Sequence, residues 1–185
     1  MLFSSLLFPK LCYGCHTPGA YFCSNCLQKL VIENREKPCT HCFHNLCVSE
    51  INSCHFRTCN LYFFSKTALS IYSYACAGKW RAIQFFSKRI ASELASLDNM
   101  PTCIVYIVST ISREIVTEVA KLEKLSMISL WPCYPKKRQI KQLPKGNKIC
   151  FLSKYPLSQQ WFQAILEEFS SPVVSISLFL PPDCQ

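Results

Sequence analysis

Apolar side chains recur at intervals of three and four residues in three segments of the chain. Residues 80–97 show this spacing at Trp80, Ile83, Phe86, Ile90, Leu94 and Leu97. Residues 113–125 and 158–169 repeat it, the latter with Trp161, Phe162, Ile165, Leu166 and Phe169. Such spacing places apolar residues on one face of an α-helix. It therefore predicts three amphipathic helices.

Short apolar runs, several of them rich in β-branched residues, lie before and between these helices. They cover residues 68–76, 103–110, 127–130, 148–152 and 173–180. We interpret each run as a strand, because its composition suits a pleated surface. Continuous apolar strands that alternate with helices are typical of a parallel sheet covered on both faces. The sequence therefore predicts an α/β domain over residues 62–185.

Cysteines dominate the segment that precedes this domain. Four pairs fall within the first 60 residues: Cys12 with Cys15, Cys23 with Cys26, Cys39 with Cys42, and Cys54 with Cys59. The first three pairs are separated by two residues, a spacing that lets two thiolates of one turn face a common ion. Two such turns complete the tetrahedral four-sulfur shell of structural zinc. The pattern predicts a small double zinc ribbon over residues 1–61 that holds two zinc ions.

The spacers indicate how the pairs combine. Seven residues, including a proline and a glycine, separate Cys15 from Cys23, so the chain can double back and join the first two pairs at one zinc. Eleven residues separate Cys42 from Cys54, which leaves room for a hairpin that joins the last two pairs at a second zinc.

The second zinc site is less secure than the first. Several residues lie close enough in sequence to replace one of its ligands: Cys47, His41, His44 and His55. The fourth ligand there stays open. A RING-like cross-brace, with the first pair joined to the third, is the main alternative topology.

Other cysteine chemistry fits the sequence less well. Disulfides suit small secreted domains, but residues 1–9 lack the basic start and the length of an export signal. Iron–sulfur ligation can use the same cysteines and stays a lesser alternative. No apolar run reaches the roughly 18 residues of a membrane span. We expect a cytoplasmic chain in which reduced cysteine pairs bind metal.

Charge is moderate once the predicted metal is counted. The formal net charge is +9, and two zinc ions on eight thiolates lower it to about +5. A stretch over residues 136–148 holds six cations and no acid: Lys136, Lys137, Arg138, Lys141, Lys145 and Lys148. Such a run can neutralise phosphates, and Trp131 and Tyr134 upstream can stack on bases. It predicts contact with single-stranded nucleic acid, with a solvated loop as the plainer alternative.

Residues 6–27 read Leu-Leu-Phe-Pro-Lys-Leu-Cys-Tyr-Gly-Cys-His-Thr-Pro-Gly-Ala-Tyr-Phe-Cys-Ser-Asn-Cys-Leu. This stretch resembles the double zinc ribbon of ComF-type competence proteins, which are phosphoribosyltransferase-like. Their next landmark, a tyrosine, a glycine, an arginine and a lysine, is matched by Tyr74, Gly78, Arg81 and Lys88. The resemblance implies a phosphoribosyltransferase-like sheet after the ribbon. It also implies a role in the uptake of single-stranded DNA during natural transformation, with a helicase as partner.

The active site that the resemblance implies is altered in this chain. In such proteins a strand ends in two acidic residues, and a Thr-Thr-Gly loop then cradles the 5-phosphate of phosphoribosyl pyrophosphate. Here the acidic pair aligns with Ser153 and Lys154, and the loop glycine aligns with Gln159, after Ser158. Without carboxylates the ribose hydroxyls lose their ligands, and without glycine the backbone cannot approach a phosphate closely. We therefore assign no catalytic residue and expect no turnover.

A weaker role stays open for the same loop. Lys154 and the start of the following helix can together bind an anion. An ordinary strand-to-helix turn, with Pro156 as the bend and Ser158 as the N-cap, is the favoured interpretation.

The sequence leaves three hypotheses for function. The favoured one is a non-catalytic, zinc-binding accessory protein of DNA uptake or processing, for which no small-molecule substrate is expected. The second is a phosphoribosyltransferase whose site has diverged beyond its motif. The third is a structural remnant without a ligand.

Overall fold

The computed structural model describes residues 9–30, 56–60, 66–97, 100–108, 110–131, 140–141, 143, 148–155, 161, 165 and 173–179. Its helices are α1 Ser24–Gln28, α2 Lys66–Cys76, α3 Trp80–Ala95 and α4 Arg113–Glu123. Its strands are β1 Phe56–Asn60, β2 Cys103–Ile107, β3 Ser126–Leu130, β4 Ile149–Ser153 and β5 Val173–Ser177. For β1 and the first two residues of β5, only the backbone is described.

The five described strands form one parallel sheet in the order β1-β5-β4-β2-β3. Every residue of β2 and β4 is buried, as central strands of a parallel sheet require. The chain passes from β2 to β3 on one side and returns with β4 on the other side of β2. The direction of winding therefore reverses between β2 and β4. The predicted α/β class with a parallel sheet is confirmed.

Alternate residues of the central strands enter two separate cores, one on each face of the sheet. Ile104 and Tyr106 of β2 belong to the first core, together with buried residues of α2, α3 and α4. Val105 of β2 and Phe151 of β4 belong to the second core. Four buried residues outside the described strands complete the second core: Ile140, Leu143, Trp161 and Ile165. Both faces are thus covered, which explains why the strands are apolar throughout.

Most predicted elements are found where the pattern placed them. The helices predicted over residues 80–97 and 113–125 are α3 and α4, and four of the predicted strands are β2 to β5. Within the helix predicted over residues 158–169, the described residues Trp161 and Ile165 are helical and buried. Trp80 departs from the predicted apolar face of α3, because its side chain is 52% exposed.

The strand predicted over residues 68–76 is wrong, since this segment is helix α2. Its buried residues are Ala68, Ile71, Tyr72 and Ala75, at the three- and four-residue spacing of a helix face. The tyrosines and isoleucine gave the segment the composition of a strand. Here the packing of one helical face against the first core outweighs that local preference.

The sheet also includes residues that the sequence analysis placed in the ribbon. β1 pairs in parallel with β5, with Phe56 opposite Val173 and Asn60 opposite Ser177. The α/β domain was predicted to begin at residue 62, whereas this edge strand precedes that point. Among the described residues, no helix combines the length and the apolar character that crossing a membrane demands.

Helix α4 ends in a strained turn. Its C-cap, Lys124, has φ 54° and ψ 40°, a left-handed conformation that costs an L-residue about 1–2 kcal/mol. The Leu125 N–H then donates to Ala120 O at 2.9 Å, which closes the helix before β3 starts at Ser126. The short connection between α4 and β3 therefore forces the left-handed residue.

We expect Lys124→Gly to raise the free energy of unfolding by about 0.5–1 kcal/mol, because glycine adopts positive φ without a steric cost. Lys121→Gly, within the same helix, is the matched control and should lower it by about 1 kcal/mol. Urea denaturation of the two variants measures both effects. Equal destabilisation by both substitutions would contradict the left-handed cap.

Candidate metal centre and strand-end crevice

Cys12, Cys15, Cys23 and Cys26 meet at one place. Their Sγ atoms all lie within 4.8 Å of one another, and those of Cys15 and Cys23 are 3.7 Å apart. In a tetrahedral site with Zn–S bonds of about 2.3 Å, neighbouring sulfurs lie about 3.8 Å apart. The four thiols therefore fit a four-sulfur metal site of zinc dimensions. In the described part of the chain, the first cysteine pair meets the second, as predicted.

A tight loop presents the first two thiols. An antiparallel bridge between Leu11 and Pro18 closes the loop, and the Cys12 N–H donates to Thr17 O at 3.0 Å. His16 adopts a positive φ of 62°, which turns the chain back on itself. The loop thus places Cys12 on the buried side of the cluster and Cys15 on the exposed side.

The start of α1 presents the other two thiols. Cys23 is the N-cap of this helix, and its Sγ accepts the Cys26 N–H at 3.4 Å. The Cys23 N–H in turn donates to Cys12 Sγ at 3.4 Å. Backbone N–H donors of this kind orient sulfur ligands and offset the charge of a thiolate.

Hydrogen bonding favours the thiolate form at two of these cysteines. Burial opposes ionisation of Cys12, but backbone N–H donors, first that of Cys23, outweigh it and lower the pKa of this thiol to about 6. The Thr17 hydroxyl, 2.6 Å from Cys15 Sγ, lowers the pKa of Cys15. Burial raises the pKa of Cys26, so this thiol ionises only beside a cation. A divalent metal supplies that cation, since it binds thiolates and releases their protons.

Aromatic contacts dock the zinc knuckle, residues 9–30, onto helices α2 and α3. The Tyr13 ring stacks on Tyr74 with centroids 4.5 Å apart, and Phe22 stacks on Phe85 at 5.3 Å. The Ser70 hydroxyl donates to Tyr13 O at 2.7 Å. Tyr13 is buried and belongs to the first core of the sheet domain. The knuckle and the helical layer are therefore packed as one unit.

Gly14 allows this close approach. A Cβ at this position would lie 2.6 Å from Thr67 Cγ2 and 2.8 Å from Cys26 Sγ, closer than side-chain atoms pack. Only glycine lets the loop fit between α2 and the thiol cluster.

The second zinc site remains a prediction. Cys39, Cys42 and Cys54 lie outside the described residues. Cys59 lies in β1, where its backbone pairs with Ile176 of β5.

The basic stretch is described in part. Lys136, Lys137, Arg138 and Lys145 lie outside the described residues, as does Tyr134. Lys141 and Lys148 are exposed, while Ile140 and Leu143 of the same stretch are buried in the second core. Trp131, directly after β3, is 65% exposed. The stretch is thus attached to the sheet by two apolar side chains, with its described cations in solvent.

A second group of polar residues lies where β2 and β4 end, at the reversal of the winding. Ligands of open α/β sheets bind in the crevice at such a point. We call Tyr72, Ser112, Ser153, Lys154 and Tyr155 the strand-end crevice. Of the predicted loop residues, Ser153 and Lys154 are described here, and Ser158 and Gln159 lie outside the described residues.

Lys154 sits between aromatic rings. Its Nζ lies 5.3 Å from the centroid of Tyr72 and 4.9 Å from that of Tyr155, both within the range of a cation–π contact. The Ser153 hydroxyl donates to Tyr155 O at 2.5 Å. The two residues that align with the family's acidic pair are therefore engaged within the protein. They place a positive charge where the family has two negative ones.

Tyr72 connects this crevice to the helical layer. Its hydroxyl oxygen accepts the Ser112 N–H at 3.1 Å, just before α4 begins, and burial raises the pKa of this phenol. The Ser112 hydroxyl donates to the Glu114 carboxylate at 2.7 Å and lowers the pKa of that acid. Sequence reasoning missed Tyr72 because it placed the residue in a strand. Its helical spacing with Ala68 and Ala75 is the signal that identifies its buried face.

Comparison with known proteins gives likenesses of structure alone. No protein-family model and no curated protein matches the chain. Among solved structures, it is similar to the HGPRTase of Leishmania tarentolae in complex with GMP, at 9% identity and a TM-score of 0.39 over 60% of this chain. It is also similar to a purine phosphoribosyltransferase from Pyrococcus horikoshii Ot3, at 11% identity and a TM-score of 0.37 over 68% of this chain. The matches cover 66% and 79% of those chains, the first slightly under two thirds. The strand order and register given above, rather than these likenesses, define the fold of this chain.

We expect Cys26→Ser to lower the zinc content of the purified, reduced protein by about one equivalent, because it removes one of four ligands of a closed site. The thermal midpoint of the whole chain should fall as well, since Tyr13 joins the knuckle to the first core. Elemental analysis and calorimetry measure the two effects.

Cys76→Ser is the matched control for this experiment. This cysteine is exposed at the end of α2, and its substitution should leave both zinc content and midpoint unchanged. If Cys26→Ser retained the wild-type zinc content, the four-thiol site would be refuted.

Proposed function

We propose that this chain is a zinc-binding accessory protein of DNA uptake or processing, of the ComF type, that does not transfer phosphoribosyl groups. The observation that carries the proposal is the pairing of an intact four-thiol knuckle with a strand-end crevice in which Lys154 replaces a carboxylate. The knuckle lies in the stretch that resembles the ComF ribbon. The crevice lies where that family binds phosphoribosyl pyrophosphate.

The charge at the crevice argues against transfer. Departure of pyrophosphate leaves positive charge on the ribosyl centre, and placed carboxylates and magnesium ions are the groups that stabilise such charges. Ser153 and Lys154 cannot bind magnesium in their place. Lys154 also repels a cation at the point where the ribose hydroxyls would lie.

The backbone after β4 is also engaged. The Leu178 N–H donates to Ser153 O at 3.2 Å, and the Phe179 N–H donates to Lys154 O at 2.8 Å. Phe179 itself is buried against Tyr72. Two hydrogen bonds therefore join the chain segments just where β4 and β5 end.

The remaining role is contact with single-stranded nucleic acid. Among the described residues of the basic stretch, Lys141 and Lys148 face solvent and Ile140 anchors the chain. Trp131 lies beside this stretch with 65% of its surface exposed, as a base-stacking residue requires. A helicase of DNA uptake is the protein partner that the resemblance implies.

We expect no heat of binding and no pyrophosphate release when phosphoribosyl pyrophosphate and magnesium are added with nucleobase or amine acceptors. The physical reason is the missing carboxylates. Calorimetry and a pyrophosphate assay measure the two quantities. Saturable, magnesium-dependent turnover would contradict this expectation. If Lys154→Ala abolished that turnover and the surface control Lys124→Ala kept it, the chain would be a diverged phosphoribosyltransferase.

We expect the wild-type chain to bind single strands with little sequence preference and with an affinity that falls steeply with salt. Lys136→Ala with Lys137→Ala and Arg138→Ala should reduce the log–log salt slope by about 0.7 for each phosphate that the variant no longer neutralises. Trp131→Ala should weaken binding without changing the slope. Titration of fluorescent oligonucleotides at several salt concentrations measures the affinity and its salt slope. If wild type and the triple variant bound equally at low salt, residues 136–148 would be a solvated loop without a role in binding.

A further inference from the structure

Charge is unevenly distributed over the described part of the chain. Residues 9–30 and 66–95, which cover the knuckle, α2 and α3, contain one acid, Glu93, and seven cations: Lys10, Lys29, Lys66, Lys79, Arg81, Lys88 and Arg89. Six of these side chains are exposed, and Arg89 is half-buried. Helix α4, by contrast, mixes both signs, with Glu114, Glu118 and Glu123 beside Arg113 and Lys121. The knuckle and the two helices beneath it therefore form the cationic part of the described structure.

Aromatic rings lie side by side within this cationic region. Tyr21 is 5.4 Å from Tyr13, and Tyr13 is 4.5 Å from Tyr74, between ring centroids. His16 follows next, with its Nδ1 3.1 Å from the Tyr74 hydroxyl. Tyr13 is buried in this row, Tyr21 and Tyr74 are half-buried, and His16 is exposed.

Exposed cations border the row of rings. Lys10 Nζ lies 6.0 Å from the centroid of Tyr21, and the Lys79 N–H donates to Tyr74 O at 3.0 Å. Burial raises the pKa of Tyr13, and Arg81 is near enough for its charge to oppose that rise. The knuckle and the α2–α3 junction thus contribute rings and cations to one surface, with Lys79 attached to the row through its backbone.

Trp80 extends this surface. It is the first residue of α3, lies between Lys79 and Arg81 in sequence, and is 52% exposed. An indole left half in water adds little to the core. It is available to stack on a flat ligand.

We propose that this surface, the knuckle face, binds single-stranded nucleic acid. It consists of Lys10, His16, Tyr21, Tyr74, Lys79, Trp80 and Arg81. The cations contact phosphates and the exposed rings stack on bases. The proposal rests on the proposed function for the class of partner, but it assigns a surface separate in sequence from residues 136–148.

The combination of features favours a single strand over other polyanions. Cations without neighbouring acids attract any phosphate backbone. Exposed rings are useful only where base faces are free, as they are in a single strand and not in a duplex. An anionic membrane surface is the less favoured partner, because interfacial binding relies on a broad apolar face. The described knuckle, α2 and α3 expose three large apolar side chains, Leu11, Leu27 and Trp80, against six exposed cations.

The experiment measures fluorescence anisotropy of a labelled oligothymidylate with the full-length, zinc-loaded protein over a range of salt concentrations. Lys79→Ala with Arg81→Ala should reduce the log–log salt slope by about 1.4, at about 0.7 for each phosphate that is no longer neutralised. Lys121→Ala with Lys124→Ala on α4 removes the same charge elsewhere and should bind like wild type.

Trp80→Ala should weaken binding at least about 5-fold with an unchanged salt slope, since stacking of one base is worth that much or more. Trp80→Tyr keeps a ring and should recover most of the affinity. Zinc content and thermal midpoint, measured on every variant, must match wild type, so that weaker binding reports the surface rather than the fold.

Three outcomes overturn the knuckle face. In the first, the Lys79/Arg81 variant and the Trp80 variant both bind like wild type, while the variant of Lys136, Lys137 and Arg138 fails to bind. The proposed function would then survive without the knuckle face. Another is equal weakening in the α4 control, which would leave bulk charge as the cause. The third is binding to phosphatidylserine vesicles without binding to the oligonucleotide, which would also remove nucleic acid from the proposed function.

Discussion

The crowding of four sulfur atoms within 4.8 Å is the constraint on which the described structure depends. Thiols so close cannot all ionise without a cation, and burial makes ionisation of Cys26 harder still. A metal ion bound there would remove this conflict and fix both turns of the knuckle. Tyr13 follows Cys12 in the first turn and packs on Tyr74 of α2, so the same ion would also hold the knuckle against α2. Tyr72, on α2, then holds the Ser112 N–H at the start of α4. A chain of direct contacts thus runs from the metal site to the strand-end crevice.

The position of the crevice and the side chains in it have separate physical origins. Parallel strands end together at one edge whatever residues follow them, so the crevice between β2 and β4 is a property of strand order. Its reactivity depends on the side chains there. With Lys154 held between two tyrosine rings, the site presents a positive charge and aromatic surface in place of paired carboxylates. The described acid at the border of the crevice is Glu114, whose carboxylate accepts the Ser112 hydroxyl, while Lys154 makes the end of β4 itself positive.

Local patterns predicted most of this fold and all four cysteines of the candidate metal site. The spacing of Ile83, Phe86, Ile90 and Leu94 identified α3, and the two-residue spacers identified the first thiol cluster. The strand predicted over residues 68–76 was wrong because it rested on composition rather than on periodicity. The buried residues Ala68, Ile71, Tyr72 and Ala75 lie on one helical face. Contacts such as Tyr13 with Tyr74 or Lys154 with Tyr72 join residues far apart in the chain. They depend on how the elements pack, for which a single sequence carries no local signal.

The metal also determines how the knuckle face can act on a polyanion. Four thiolates around one divalent ion carry a net charge of about −2, so the filled site weakens the positive potential of this region rather than creating it. Its contribution to phosphate binding is therefore positional: it fixes Tyr13, and through Tyr13 and Tyr74 it fixes the rings and cations of the α2–α3 junction. The proposed surface would therefore take its shape from the contacts of Tyr13 with Tyr74 and Tyr21, and its charge from Lys10, Lys79 and Arg81.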